Sequence, residues 1–146
     1  MRETLAPSPL VNLNLPPLAT FCPEYGGFYA GIIRGENGEP SYHLFHAPAL
    51  QEIAATKWQN AVEKASASLN GFSDWSLPDR REARLLAINS PDSFDKDGRY
   101  WTSTQHAFSP DYAWIQDFSG GFQSINRKSV GCCARPVRRI LIIERE

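Results

Sequence analysis

The 146 residues carry 15 Lys and Arg against 16 Asp and Glu, a formal net charge of −1, and 42% of them are apolar. So even a balance supplies no field that would draw the protein to nucleic acid or to a membrane surface, and neither is expected as a partner. The length fits one domain, able to bury roughly 68–70% of the surface its unfolded chain exposes, so that no disulfide or metal is needed to hold it folded.

Three cysteines, Cys22, Cys132 and Cys133, form an odd set with one adjacent pair. That is a poor disulfide framework, and three thiols in a reducing compartment are expected. No apolar run approaches the ~18 residues of a membrane span. The first 18 residues lack the continuous apolar stretch of a secretory signal, so a cytoplasmic location is expected.

In chain order, residues 1–24 come first, with Pro7, Pro9, Pro16, Pro17 and Pro23 among them. Proline fixes φ and removes donors, which excludes a helix or a central strand. Leu10, Val11, Leu13, Leu15 and Leu18 are interspersed, so an extended, Pro-rich N-terminal arm is predicted, lying on its own domain or on a sister subunit. The second placement would make a homo-oligomer, a dimer or trimer. The domain proper is predicted over residues 25–146.

Residues 27–34 read as a strand, Asn37-Gly38 as a hairpin turn, and Ser41 to His46 as the returning strand. His43 and His46 fall on opposite faces of that strand and cannot chelate one metal. Thr56 to Asn70 reads as a helix. Trp58, Ala61, Val62, Ala65 and Leu69 form its apolar stripe, Thr56 and Gln59 resemble a capping box, and Asn70-Gly71 supplies a left-handed exit.

Asp74 to Leu77 is a short extended segment with Trp75 and Leu77 on one side. Pro78 stops it, and Asp79 with Glu82 caps a second helix. Ala83, Leu86 and Ala87 form that helix's buried row, and Arg80, Arg81 and Arg84 face out. Residues 92–99 fail as a calcium loop because Ser93 and Thr104 stand where carboxylates are needed, which leaves a polar turn.

The last third reads as strands at Tyr100–Thr104, Ala113–Phe118, Phe122–Arg127 and Cys132–Ile143, the last broken at Pro136 by a bulge or an edge position. Six basic residues lie between Arg127 and Glu146 against Glu144 and Glu146. The plain reading is a solvated outer face, and a phosphate- or acid-binding patch is the alternative. Strands, two helices in series, then several strands is an α+β order.

Asp74-Trp75-Ser76-Leu77-Pro78 with Glu82 resembles the Asp-Trp-Arg-Leu-Pro…Glu-Leu signature of a bacterial domain family that includes the C-terminal domain of collagen-like adhesins. Ser76 replaces the usual Arg and Ala83 the usual Leu. Tyr100-Trp101-Thr102-Ser103-Thr104 is similar to its Tyr-Trp-Ser-Ser-Thr block. Ala113-Trp114 with Asp117-Phe118-Ser119-Gly120-Gly121 looks like its Ala-Trp…Asp-Phe…Gly block, and Ala134-Arg135-Pro136-Val137-Arg138 resembles its closing Val-Arg-Cys-Val-Arg. The front strands also look like those of short stand-alone members in bacteria and their phages. The resemblance implies a C-type-lectin-like fold, two helices flanking mostly antiparallel sheets, related to the formylglycine-generating enzymes. Asp74, Trp75, Leu77, Pro78, Glu82, Trp101 and Trp114 are then scaffold, with Trp114 in the core.

The chain departs from the catalytic and metal-binding members. Glu39-Pro40-Ser41 and Trp114-Ile115-Gln116 do not make a calcium-sugar site. Cys132 and Cys133 point to opposite strand faces, so they cannot share a copper ion. His106 near Asp111 lacks a demonstrated base–partner geometry. No catalytic residue, metal or cofactor is predicted. The expected function is non-enzymatic recognition or assembly, phage-related, in the cytoplasm or in a phage particle assembled there. A protein or polysaccharide would be bound by His106, Phe108, Asp111, Tyr112, Gln116, Gln123, Arg127 and Lys128. A phage-borne inhibitor of a host complex and an unusual formylglycine-generating-type enzyme are the alternatives.

Overall fold

The computed structural model describes residues 15–143. The predicted packing of Leu10, Val11 and Leu13 lies outside them. The elements are β1 (Phe21–Cys22), β2 (Gly27–Ile33), β3 (Tyr42–His46), β4 (Ile53–Thr56), α1 (Trp58–Ala65), α2 (Arg80–Asn89), β5 (Arg99–Gln105), β6 (Tyr112–Asp117), β7 (Gln123–Arg127), β8 (Cys132–Ala134) and β9 (Val137–Leu141). The class is α+β. One sheet has the order β1-β2-β3-β9 and the other β4-β8-β5-β6-β7. Pairing is antiparallel except between β5 and β8.

Phe21 and Cys22 pair with Phe28 and Gly27, so the end of the predicted arm is a strand of the domain. Asn37 and Gly38 both take positive φ, 54° and 84°, and Glu39 N–H donates to Glu36 O, which is the tight turn predicted between β2 and β3. Pro136 sits where the chain leaves one sheet for the other. It is a crossing point between β8 and β9, neither a bulge nor an edge within one strand.

Helix α1 is shorter than its pattern. Thr56 belongs to β4, where it pairs with Cys132, so it cannot serve as a helix cap. The cap position is Lys57, with no side-chain hydrogen bond. The helix ends at Ala65 because Ser66 Oγ donates to the Val62 and Glu63 carbonyls, competing with the backbone ladder. Asn70 and Gly71, at φ 54° and 86°, instead turn a two-residue loop closed by reciprocal hydrogen bonds between Leu69 and Phe72. Ala61 and Ala65 pack with Leu77, Trp101, Ala113, Ile115, Cys132 and Ala134 in one core cluster. The second predicted cap holds: Asp79 accepts from Glu82 N–H, and Glu82 accepts from Asp79 N–H. Ala83 and Leu86 of α2 are buried, and Leu86 packs with Ala30, Ile33, Leu44, Phe94, Tyr100 and Val137.

Arg135, Arg138 and Arg139 belong neither to a solvated face nor to an open anion patch. Arg135 and Arg138 are buried and Arg139 half-buried, each paired with an acid. Arg135 donates to Glu52, Ala47 O and Ser93 O, and lies 4.3 Å over the Phe94 ring. Arg138 grips Asp74 through two nitrogens, donates to Tyr25 O and lies 3.7 Å over Phe72. Arg139 donates to both oxygens of the buried Glu82, at 2.6 and 2.8 Å, and to Ser76 Oγ and Leu77 O. Tyr42 completes the Glu82 site with a 2.6 Å hydrogen bond. Trp75 and Trp101 are buried, their indole N–H groups donating to Leu69 O and Thr56 O. Asp74 to Glu82 is thus fastened to the last strand by ion pairs and to the core by an indole.

Candidate binding face

Strand alternation divides β6 cleanly. Ala113 and Ile115 point into the core, and Tyr112, Trp114 and Gln116 point the other way. Their partners across the ladder on β7 are Arg127, Ile125 and Gln123. The start of α2 lies over this outer face, and the Arg80 guanidinium sits 3.5 Å above the Trp114 ring. Trp114 is half-buried beneath that cation, which corrects its expected place in the core.

The predicted recognition residues separate into two groups. Gln116 is fully buried and its amide is spoken for: Nε2 donates to Asp117 O and Phe122 O, and Oε1 accepts from Gln123 Nε2 at 2.9 Å. Gln123 also donates to Arg80 O, and its own Oε1 accepts from Arg80 Nε and Arg84 Nη2, at 3.1 and 3.0 Å. This pair braces α2 against β6 and β7.

The other six gather at the opposite end of the strands. His106 Nδ1 accepts from Phe108 and Ser109 N–H, so in that geometry Nδ1 carries no proton and Nε2 does. That nitrogen is therefore not free to work with Asp111. The His106 ring lies 5.9 Å from Trp114 and 6.3 Å from Phe108, itself 92% exposed at the loop tip. Asp111 O accepts from Lys128 N–H, tying the β5–β6 loop to the turn after β7. Arg127 lies 5.2 Å over Tyr112 and Lys128 Nζ 4.5 Å over Trp58, so both cations are held by aromatic faces. Arg80 and Arg84 reach the same outer face. The sequence marks them only as outward-facing residues of α2, and their four-residue spacing is the one signal that places them side by side.

The cysteines divide between two cores. Cys132 packs with Trp101 and accepts from Asn126 Nδ2, and Cys133 packs beside Leu86 and Tyr100. Burial pushes both thiols up in pKa, which keeps them protonated at neutral pH. Among the described residues no group of three or more His, Cys, Asp and Glu has the geometry of a metal site. No helix among them is long and apolar enough to cross a membrane.

No curated protein matches the chain. The family described as the Lcl C-terminal domain matches residues 36–138, from the β2–β3 turn to the arginine that grips Asp74. The match covers more than half of the 146 residues and takes in the Asp74–Glu82 hinge, both helices and the whole outer face of β6 and β7; the chain belongs to the Lcl C-terminal domain family.

Proposed function

We propose that the protein is a non-enzymatic recognition module that binds a protein or polysaccharide through the loops at the His106–Lys128 end of β6 and β7. The observation that carries this reading is the combination at that end of a 92% exposed phenyl ring, Phe108, with two cations, Arg127 and Lys128, seated on Tyr112 and Trp58. Exposed aromatic and Arg anchors of this type dominate binding energy where partners exclude water around them. His106 acts here through its ring, as a wall beside Trp114 and Phe108.

A C-type-lectin-like build fits the same reading. Strands from both ends of the described chain, β1 to β3 and β9, share one sheet, the two helices come between them in sequence, and the second sheet carries the irregular loops. The three free thiols support a reducing compartment.

The test is capture of partners by the full chain and by a Phe108→Ser, Arg127→Glu, Lys128→Glu triple variant, on a glycan array and from a lysate with mass spectrometry. The exposed phenyl contributes nothing to the core, so thermal unfolding is expected to stay within a few degrees while a partner bound by the wild type is lost. Retention of every partner by the folded variant refutes the assignment of this end of the sheet.

A further inference from the structure

Helix α2 turns a second surface outward. Arg80, Arg84 and Ile88 are spaced four apart and form one ridge. Ile88 is 67% exposed. Among the described residues neither Arg80 nor Arg84 pairs with a carboxylate, whereas the adjacent Arg81 is neutralised by Glu36 at 2.6 Å. The two guanidiniums instead converge on one neutral atom, Gln123 Oε1. Gln123 cannot rotate away, because its Nε2 is held by Arg80 O and Gln116 Oε1. The Arg80 guanidinium carbon lies 3.5 Å from the centre of the Trp114 ring. The amide supplies an acceptor without a charge, so two positive charges stay uncompensated beside a concavity of about 350 Å³ lined by Arg80, Arg81, Arg84 and Gln123.

We propose that this ridge docks an acidic protein segment in which a pair of carboxylates is followed by an apolar side chain. A guanidinium lying on an indole offers its remaining N–H groups only in its own plane, and a planar carboxylate matches that fork. Ile88, one turn beyond Arg84, gives an apolar end to the cationic ridge, which suits a peptide better than a uronate chain. The site shares Trp114 with the loop surface described above but needs none of Phe108, Arg127 or Lys128. Failure of that reading therefore leaves this one standing, and the reverse.

The experiment is fluorescence anisotropy on the full chain with a fluorescein-labelled Gly-Ser-Glu-Glu-Ser-Leu-Gly-Ser peptide, its Gln-Gln counterpart, and polygalacturonate as competitor. The acidic peptide binds, its affinity falls with added salt because exposed charges are screened, and the Gln-Gln peptide does not bind. Arg84→Gln weakens binding about tenfold, the loss expected for one charge-assisted hydrogen bond. Ile88→Ser weakens it several-fold, and Phe108→Ser leaves it unchanged. Both ridge residues are exposed, so unchanged thermal unfolding confirms that these variants fold. The proposal is overturned if the acidic peptide does not bind, if Arg84→Gln binds it equally, if the Gln-Gln peptide binds as well, or if only polygalacturonate engages these arginines.

Discussion

Replacing Glu82 by Gln tests whether one buried carboxylate joins the second helix, the hinge before it and the last strand. Its side chain is fully buried and takes four hydrogen bonds, from Tyr42, from Asp79 N–H and two from Arg139. Breaking a buried ion pair by removing one partner costs about 3–5 kcal/mol, because the other charge is left uncompensated. Arg139 is 30% exposed, so water can solvate it in part, and the amide still accepts from Asp79 or Tyr42. The expected loss is therefore at the lower end, about 3 kcal/mol, a large share of the roughly 5–15 kcal/mol that holds a domain folded. Urea unfolding at neutral pH measures it. Burial by itself would raise the Glu82 pKa, but the hydrogen bonds and charge of Arg139, with Tyr42 and Asp79 N–H, outweigh it and hold the carboxyl below its ordinary value. A carboxyl depressed in the folded state contributes stability that is full above its unfolded pKa and is lost as pH falls through the folded one. Asp79 works in the opposite sense, since burial and the Glu82 charge raise its pKa. The gap between wild type and variant should thus be widest near neutrality and narrow in acid. A gap under about 1 kcal/mol at pH 7, or one that stays constant into acid, refutes the ion-pair account of this hinge.

Two further outcomes follow from buried and half-buried titratable groups. His46 is pushed down to about 4, by burial first and the Arg135 charge second, against the raising effect of its hydrogen bond to Ala47 O. Its contribution is full above the unfolded value near 6.5 and is lost as pH falls towards 4, a loss of about 3 kcal/mol at roughly 1.4 kcal/mol per pH unit. His46→Phe should flatten the stability profile across that window, and an unchanged slope counts against it. The raised thiols of Cys132 and Cys133 should react slowly with Ellman's reagent in native buffer and completely in denaturant. A native thiol reacting at the speed of a free cysteine contradicts the burial.

What was legible in the sequence was local. The Asn37-Gly38 turn, the Asp79–Glu82 cap, the stripe of α1 and the strands of the last third depend on neighbours a few residues away. Thr56 failed as a cap because its backbone is claimed by Cys132, 76 positions further on, in the β4–β8 pair. Arg135, Arg138 and Arg139 read as surface charges for the same reason. Their acids lie 57, 64 and 83 residues earlier, and no charge count along the chain reveals a partner at that range. Trp114 was placed in the core because it sits in a motif block. Strand parity alone puts it opposite Ala113 and Ile115, and only the fold shows that Arg80 covers it.

The arginines divide between the motif scaffold and the proposed binding face. Arg135, Arg138 and Arg139 carry carboxylate partners and are committed to the scaffold. Ser76 belongs to this arrangement, since its hydroxyl accepts from Arg139 Nη1 at 2.6 Å. An Arg there, as in the signature block the sequence resembles, would bring a second guanidinium towards the first. Arg80, Arg84, Arg127 and Lys128 rest instead on amides and aromatic rings, at the outer face of β6 and β7 and the start of α2. A cation bound to a neutral partner keeps most of its charge available to a third group, whereas one locked to a buried acid does not. Surface cations held in this way mark where the chain has charge left to offer, and here they lie along the outer face of β6 and β7 and the ridge of α2.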